Sequence, residues 1–351
     1  MTWAAWWAAQ AREREAAGLT RTLRPRPADD PTTDLAGNDY LGLSRDPRVV
    51  EAAAAAARTW GVGAGASRLV TGTLAVHAEL EAELAAWTGQ PAALVCSTGY
   101  HANLAVVTAL ADPSTLVVSD AHVHASLIDA VRLARAPVAV VPHGDVDAVR
   151  RALATHADRA PDGRALVLVE SVYSVLGDAA PLVDLADVAA AHGALLVVDE
   201  AHGIGVHGPG LVAATGLAGQ PHVVLTATLS KALGAQGGAV LGPAALVDHL
   251  VNRARPFIFD TGLAPTSTAG ALAALRVARD EPWHADRVRA RMAALAAALG
   301  VPPAAGAVLS VPMPSPHAAL AAQADLVGRG VRVGCFRPPS VPDGVARLRV
   351  T

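Results

Sequence analysis

Between residues 90 and 242 the chain carries seven short, almost unbroken apolar runs, at 93–97, 116–120, 137–141, 165–170, 194–199, 222–228 and 239–241. A strand with one wet face alternates apolar and polar residues, whereas a run without alternation belongs to a strand covered on both faces. Most of the gaps hold helical patterns, at 103–111, 126–134, 146–156 and 182–192. Strands spaced by helices form parallel units. The expected architecture is therefore α/β, a mostly parallel seven-stranded sheet covered by helices. Five runs finish on a polar residue: Ser97, Asp120, Glu170, Asp199 and Thr228. Ligands of open α/β sheets sit beyond the carboxyl ends of the strands, so these five are expected to meet in one cleft.

After Pro243 the alternation stops. Helical patterns cover 267–280, 283–299 and 317–328, and strands are expected at 307–313, 331–335 and 346–350. That is an α+β layout. The chain is divided into an N-terminal segment (1–45), a large domain (46–250) and a small C-terminal domain (251–351). Residues 1–10 read as an amphipathic helix with Trp3, Trp6 and Trp7 on one side, and 29–33 as an exposed loop. The first ten residues lack the basic start of a signal peptide.

Composition excludes several classes. A net charge of −3 without blocks of like charge argues against nucleic acid or an anionic membrane as partner. Mean hydropathy is positive, at +0.35, but no window offers the unbroken apolar stretch of a membrane span. Cys96 and Cys335 lie far apart in apolar contexts, and are expected to be reduced core residues of a cytoplasmic protein rather than metal ligands.

The basic residues carry a sharper signal. Of 28, all but Lys231 are arginine. Arginine substitutes for lysine in most surface roles. It cannot become a neutral amine nucleophile, because guanidinium keeps its proton. Lys231 follows the 222–228 run in TATLSKALG, with hydroxyls before it and Gly234, Gly237 and Gly238 after it. Partial desolvation there would lower its pKa and suit attack on an aldehyde. Thr228 and Ser230 could donate to a phosphate.

Asp199 ends the run in LLVVDEAHG, with His202 three residues on. Such a carboxylate can pair with a pyridinium nitrogen; Asp-x-x-His could also be half a metal site or part of a hydrolase triad. No second ligand cluster lies nearby, and no Gly-x-Ser-x-Gly elbow is present. The 97–100 segment, STGY, stands between a strand and a helix, where backbone N–H groups suit a phosphate. His124 could lay a flat ring against a cofactor. The glycines at 61, 63 and 65 follow a helical stretch and lack a Gly-Lys-Ser/Thr, so neither a dinucleotide fold nor a P-loop is expected.

Taken together, the segments 38–43 (NDYLGL), 99–103, 124–129 (HASLID), 170–178 (ESVYSVLGD), 198–203 (VDEAHG), 228–238 and 336–349 (FRPPSVPDGVARLR) resemble the α-oxoamine synthases, a family of fold-type-I transferases dependent on pyridoxal 5'-phosphate (PLP). The resemblance spans nearly the whole chain. Its Arg-Pro-Pro-x-Val-Pro run is most similar to the branch serving biotin biosynthesis, an acyltransferase condensing L-alanine with pimeloyl-CoA or the acyl-carrier-protein thioester.

The resemblance implies roles. Lys231 would hold PLP as a Schiff base, Asp199 would meet its ring nitrogen, His124 would stack on the ring and His202 would bond its phenolic oxygen. Gly99, Tyr100 and Thr228 would help seat the cofactor, with Glu170 and Ser174 lining the cleft. Arg21, His124, Ser340 and Arg349 would meet substrate, Arg349 as a carboxylate clamp. The 61–67 loop would lie at the interface of a homodimer with shared active sites. Family members continue beyond the equivalent of Thr351 with a further helix, so the small domain is expected to lack its last helix. The rival readings are an α-oxoamine synthase using glycine or serine, an aminotransferase, and a PLP-binding module without catalysis.

Overall fold

The computed structural model describes residues 1–338, 340–341 and 343–351; Pro339 and Pro342, inside the Arg-Pro-Pro-x-Val-Pro run, lie outside them. In chain order the strands are β1 (Thr33–Leu35), β2 (Ala92–Cys96), β3 (Leu116–Asp120), β4 (Val138–Val141), β5 (Ala165–Glu170), β6 (Leu195–Asp199), β7 (Val223–Thr228), β8 (Gly238–Gly242), β9 (Leu309–Pro312), β10 (Val331–Phe336) and β11 (Arg347–Val350). Each of the seven apolar runs becomes a strand, within a residue of its expected ends.

These seven form one sheet in the order β2-β8-β7-β6-β5-β3-β4. Only β8 is reversed against its neighbours; β3 to β7 run parallel. Every residue of β5 and β7 is buried, as the absence of alternation requires. β4 is the exception that explains itself: it closes one edge of the sheet, and its Val138 and Val140 are exposed. Helices Pro47–Trp60, Ala75–Thr88 and Pro265–Asp280 pack together and contribute to the apolar core on one face of the sheet. Gly99–Leu110, Ala125–Ala134 and Ala244–Arg253 contribute to the other. The strand–helix alternation thus ends at Gly242, yet this layer's packing runs on through Asp280.

A second sheet, in the order β1-β10-β11-β9, joins the N-terminal segment to the C-terminal region. β1 pairs in parallel with β10, Thr33 opposite Val331. Thr33 therefore leaves the expected 29–33 loop for a strand, and Asp30 in that loop is paired with Arg332.

Other expectations shift. The helix expected from 103 begins at Gly99, because the Thr98 hydroxyl caps it by accepting from the His101 N–H. The N-terminal helix extends over Trp3–Ala16 and buries none of its residues; Trp3 lies 5.7 Å from Trp6 and 6.3 Å from Trp7 between ring centroids. Cys96 is a core residue, whereas Cys335 is only half-buried; neither is bonded to another cysteine.

Candidate active site

The carboxyl ends of β5, β6 and β7 open into a cavity of about 240 Å³ that contains Glu170, Asp199, Thr228 and Lys231. Gly99, Tyr100, His124, His202 and Ser230 also line it. Three of the five polar strand ends therefore meet, and two do not. Ser97 bonds His101 and Asp260, while Asp120 turns to His143. Identical positions at strand ends diverge because the next loop, not the strand, aims the side chain.

Lys231 is held at the end of β7 with its Nζ 2.8 Å from His202 Nε2. Burial pushes the amine down to about 8, against the opposing pull of the Asp199 and Glu170 carboxylates. Burial, reinforced by the nearby charge of Lys231, lowers His202 well below its ordinary range. The ring is thus neutral and carries one proton. Its Nδ1 lies 2.7 Å from the Tyr40 hydroxyl, which in turn lies 3.1 Å from Asn38 Oδ1. Asn38 Oδ1 also accepts from Arg349 Nη2 at 2.6 Å. One proton placement satisfies the whole chain: Lys231 donates to Nε2, Nδ1–H donates to Tyr40, and Tyr40 donates to Asn38.

Asp199 is equally constrained. Its Oδ2 accepts from Asn103 Nδ2 at 2.7 Å and its Oδ1 from the Ala201 N–H at 2.9 Å. Asn103 also donates to Ser126 at 2.8 Å and accepts from Thr226 at 2.6 Å. His124 caps the helix Ala125–Ala134, its Nδ1 lying 2.7 Å from the Ser126 hydroxyl, and burial lowers its pKa. Burial, and then the charge of Asp199, push Glu170 up to about 8. Its Oε2 accepts from the Ser174 N–H at 2.9 Å, while Oε1 is buried without a partner among the described residues.

These groups fit PLP. The orphaned Glu170 oxygen, the neutral-leaning amine and the fixed carboxylate of Asp199 all face one small space. Thr98 takes up the His101 N–H and the Ala102 N–H, and those of Gly99 and Tyr100 have no partner among the described residues, at a helix N-terminus. A Cβ on Gly99 would come within 2.9 Å of Thr228 Cβ, so only glycine lets this end approach the Thr228 hydroxyl. Thr228 Oγ1 and Ser230 Oγ are 2.7 Å apart beside it. The donor set is that of an anion seat.

The remaining candidates are placed differently. Ser174 contributes its backbone: its carbonyl accepts from Arg349 Nη1 at 3.0 Å. Arg349 is buried, with Nε unpartnered among the described residues and the guanidinium 4.6 Å from the Phe336 ring centroid. Arg21 and Ser340 meet each other at 2.8 Å in a separate cavity of about 220 Å³, whose wall includes Phe336 and Arg337. Asn38, Tyr40, Asn103 and Ser126 escaped the site assignment. An asparagine on the buried face of an otherwise apolar helix was a readable signal for Asn103. Tyr40 lies in the 38–43 motif, but nothing local showed that it reaches His202 across 162 positions.

The chain matches the family model for aminotransferase class I and II over residues 30–351. It is 56% identical over 343 residues to an 8-amino-7-oxononanoate synthase of Mycolicibacterium gilvum, covering 97% of this chain and 89% of that protein. The protein of the same name from Mycobacterium tuberculosis is 53% identical over 350 residues, covering 99% and 90%. Among solved structures, serine palmitoyltransferase from S. paucimobilis with bound PLP superposes with a TM-score of 0.87 at 30% identity, covering 98% of this chain and 91% of that one. An 8-amino-7-oxononanoate synthase from Francisella tularensis gives 0.77 at 24% identity, with 92% of each chain covered.

Proposed function

Because the chain belongs to the aminotransferase class I and II family, and within it to the 8-amino-7-oxononanoate synthases, we propose that it carries PLP on Lys231 and condenses L-alanine with a pimeloyl thioester. The observation that carries this is the placement of the only lysine: half-buried, its amine pushed down to about 8, touching a neutral His202 and sharing a cavity with Asp199. The fold is that of the PLP-dependent fold-type-I enzymes.

Bound PLP supplies an aldehyde for an amine and a ring that withdraws electrons from the amino-acid Cα. The protein supplies the rest. Lys231 holds the cofactor and, when released by substrate, is the base that takes the Cα proton; a pKa near 8 suits that task at neutral pH. Asp199, fixed in place by Asn103 and the Ala201 N–H, would pair with the ring nitrogen. The open N–H groups of Gly99 and Tyr100, with the hydroxyls of Thr228 and Ser230, bind the phosphate. His202 steadies the amine and the developing oxygen charge through its fixed tautomer. Arg349 binds the amino-acid carboxylate, which leaves as CO2 once the Cα has bonded to the thioester carbonyl carbon and the thiol has departed; the Cα then takes up a proton. Arg21 and Ser340 bind the acyl chain's end.

The chain acts as a homodimer with shared sites, the 61–67 loop at the interface. Val62, Leu69 and Val70 are exposed there, and Ser67 bridges to Thr261 near the exposed Phe259. The protein works in the cytoplasm, consistent with two unbonded cysteines; no described helix is long and apolar enough to cross a membrane.

The test is spectroscopic first. PLP added to the protein should give a ~420 nm band that borohydride traps on the Lys231 peptide and L-alanine perturbs. Pimeloyl-CoA should then yield CO2, free CoA and 8-amino-7-oxononanoate. A trapped label on any other residue, or an amino-group transfer without CO2, overturns the assignment.

A further inference from the structure

A second cluster of titratable groups lies outside the cofactor cavity. His143 follows β4, and both of its ring nitrogens face carboxylates: Nδ1 lies 3.0 Å from Asp120 Oδ1, and Nε2 lies 2.8 Å from Asp178 Oδ2. Only the doubly protonated ring can donate to both. The His122 ring stacks on it at 4.2 Å, and the Tyr173 ring meets it edge-on at 4.3 Å between centroids. Asp120 is itself pinned by the N–H groups of His122 and Gly144. Burial opposes the charge on His143, but the two carboxylates outweigh it and raise its pKa to about 9. His122 is lowered by burial and then by the His143 charge, and Asp343 is the further carboxylate on its side.

What the cluster grips is the loop after β5. Residues 171–180 form a tight hairpin closed by Val172 against Ala179 and by the Tyr173 N–H on the Asp178 carbonyl. One side of this hairpin is anchored by Asp178 on His143. The other side faces the site: the Ser174 N–H donates to Glu170, and the Ser174 carbonyl accepts from Arg349. At Gly177 the loop is pressed onto the small sheet's approach. Its φ is +79°, a Cβ would lie 2.0 Å from the Val308 carbonyl oxygen, and its carbonyl accepts from the Ala305 N–H. The loop is therefore held from three directions, and it bonds Arg349 through a backbone carbonyl. No substitution at Ser174 would remove that carbonyl, so its position depends on the anchors.

We propose that His143 and Asp178 are positioning residues for the amino-acid carboxylate: the Asp120–His143–Asp178 clamp fixes the loop whose Ser174 carbonyl orients Arg349. The inference rests on Arg349 being the carboxylate clamp. The clamp acts on recognition of the amino acid and leaves the proton transfers at Lys231 alone.

Asp178 is half-exposed, so Asp178→Asn should fold; His143→Gln breaks the same clamp from the buried side. On the PLP-loaded enzyme, each variant should raise the KM for L-alanine about five- to twentyfold and keep kcat within about twofold, the pattern of lost ground-state binding. A spectral titration should show weaker L-alanine binding but unchanged binding of ethylamine, which has no carboxylate for Arg349. Amide exchange at Tyr173 and Ser174 should accelerate in both variants. Unchanged L-alanine affinity in Asp178→Asn, or an equal loss for ethylamine, overturns the proposal. Arg349→Gln separates the premises: if it leaves the L-alanine KM unchanged, the carboxylate reading of Arg349 fails and this inference with it. If it raises KM while Asp178→Asn does not, the clamp alone is wrong.

Discussion

The cofactor cavity and the cavity around Arg21 and Ser340 are built on opposite physical terms. In the first, side chains are buried at the ends of β5, β6 and β7, and burial moves proton affinities: Lys231 and His202 down, Glu170 up. In the second, Arg21 and Ser340 are exposed, and the walls are the N-terminal segment, the end of β10 and the loop after it. Arg337 is tied there to the carbonyls of Gly18 and Thr20. Proton transfer needs groups whose charge can change, and only desolvation near neutrality provides them. Recognition of a carboxylate needs a charge that does not change, which arginine keeps at any working pH. The single lysine thus stands in the cavity where desolvation moves proton affinities, while an arginine lines the exposed one.

The contrast can be broken most directly at Lys231. Lys231→Arg preserves charge and bulk but not the titratable amine, and should lower kcat at least about a thousandfold; a variant retaining a tenth of the activity would remove the base from Lys231. Next in size is Arg349→Gln. Loss of a charge-assisted pair should cut kcat/KM for L-alanine about ten- to a hundredfold while sparing the KM of the acyl thioester. If the thioester KM moves instead, the two arginine sites exchange roles. Arg21→Gln and Ser340→Ala should do the converse, raising the thioester KM by up to about tenfold with the L-alanine KM unaffected.

Glu170 sharpens the comparison from inside the cavity. With its pKa up at about 8, it is the neutral acid at pH 7 and can donate from the orphaned Oε1. Glu170→Gln keeps a neutral donor and should therefore lose no more than about threefold at pH 7, while Glu170→Leu, which leaves the site's polar groups unpaired, should lose more. A pH–rate comparison checks this, since the alkaline loss due to Glu170 ionisation should vanish in Glu170→Gln.

The smallest effect concerns stability. His143 is raised in the folded state to about 9, so its contribution is complete below its unfolded value and is lost as pH rises through about 9. The unfolding midpoints of wild type and His143→Gln should thus differ most near neutral pH and converge toward pH 10. A constant difference across that range would deny the clamp its charge.

Much of this was legible in the residue order. Unbroken apolar runs announced buried strands, and β4 alone departs, because an edge position cannot be read from a run. The Thr98 cap moved a helix start by four residues, an effect carried by one hydroxyl. Lys231 stood out because guanidinium cannot do what an amine does, and the segments 38–43, 170–178 and 198–203 marked the site's neighbourhood.

The sequence by itself thus determined the sheet and the family, both of which follow from local pattern and motif, and it singled out the one lysine. Only the tertiary structure decided which polar residues share a space. Asp120 and Asp199 both end buried parallel strands, yet one is claimed by His143 and the other by Asn103. The chain of contacts from Lys231 through His202, Tyr40 and Asn38 to Arg349 joins residues up to 311 positions apart. Hydrogen bonds fix geometry to tenths of an ångström, and no pattern in the order of residues encodes a distance between strands that meet only after both sheets have formed.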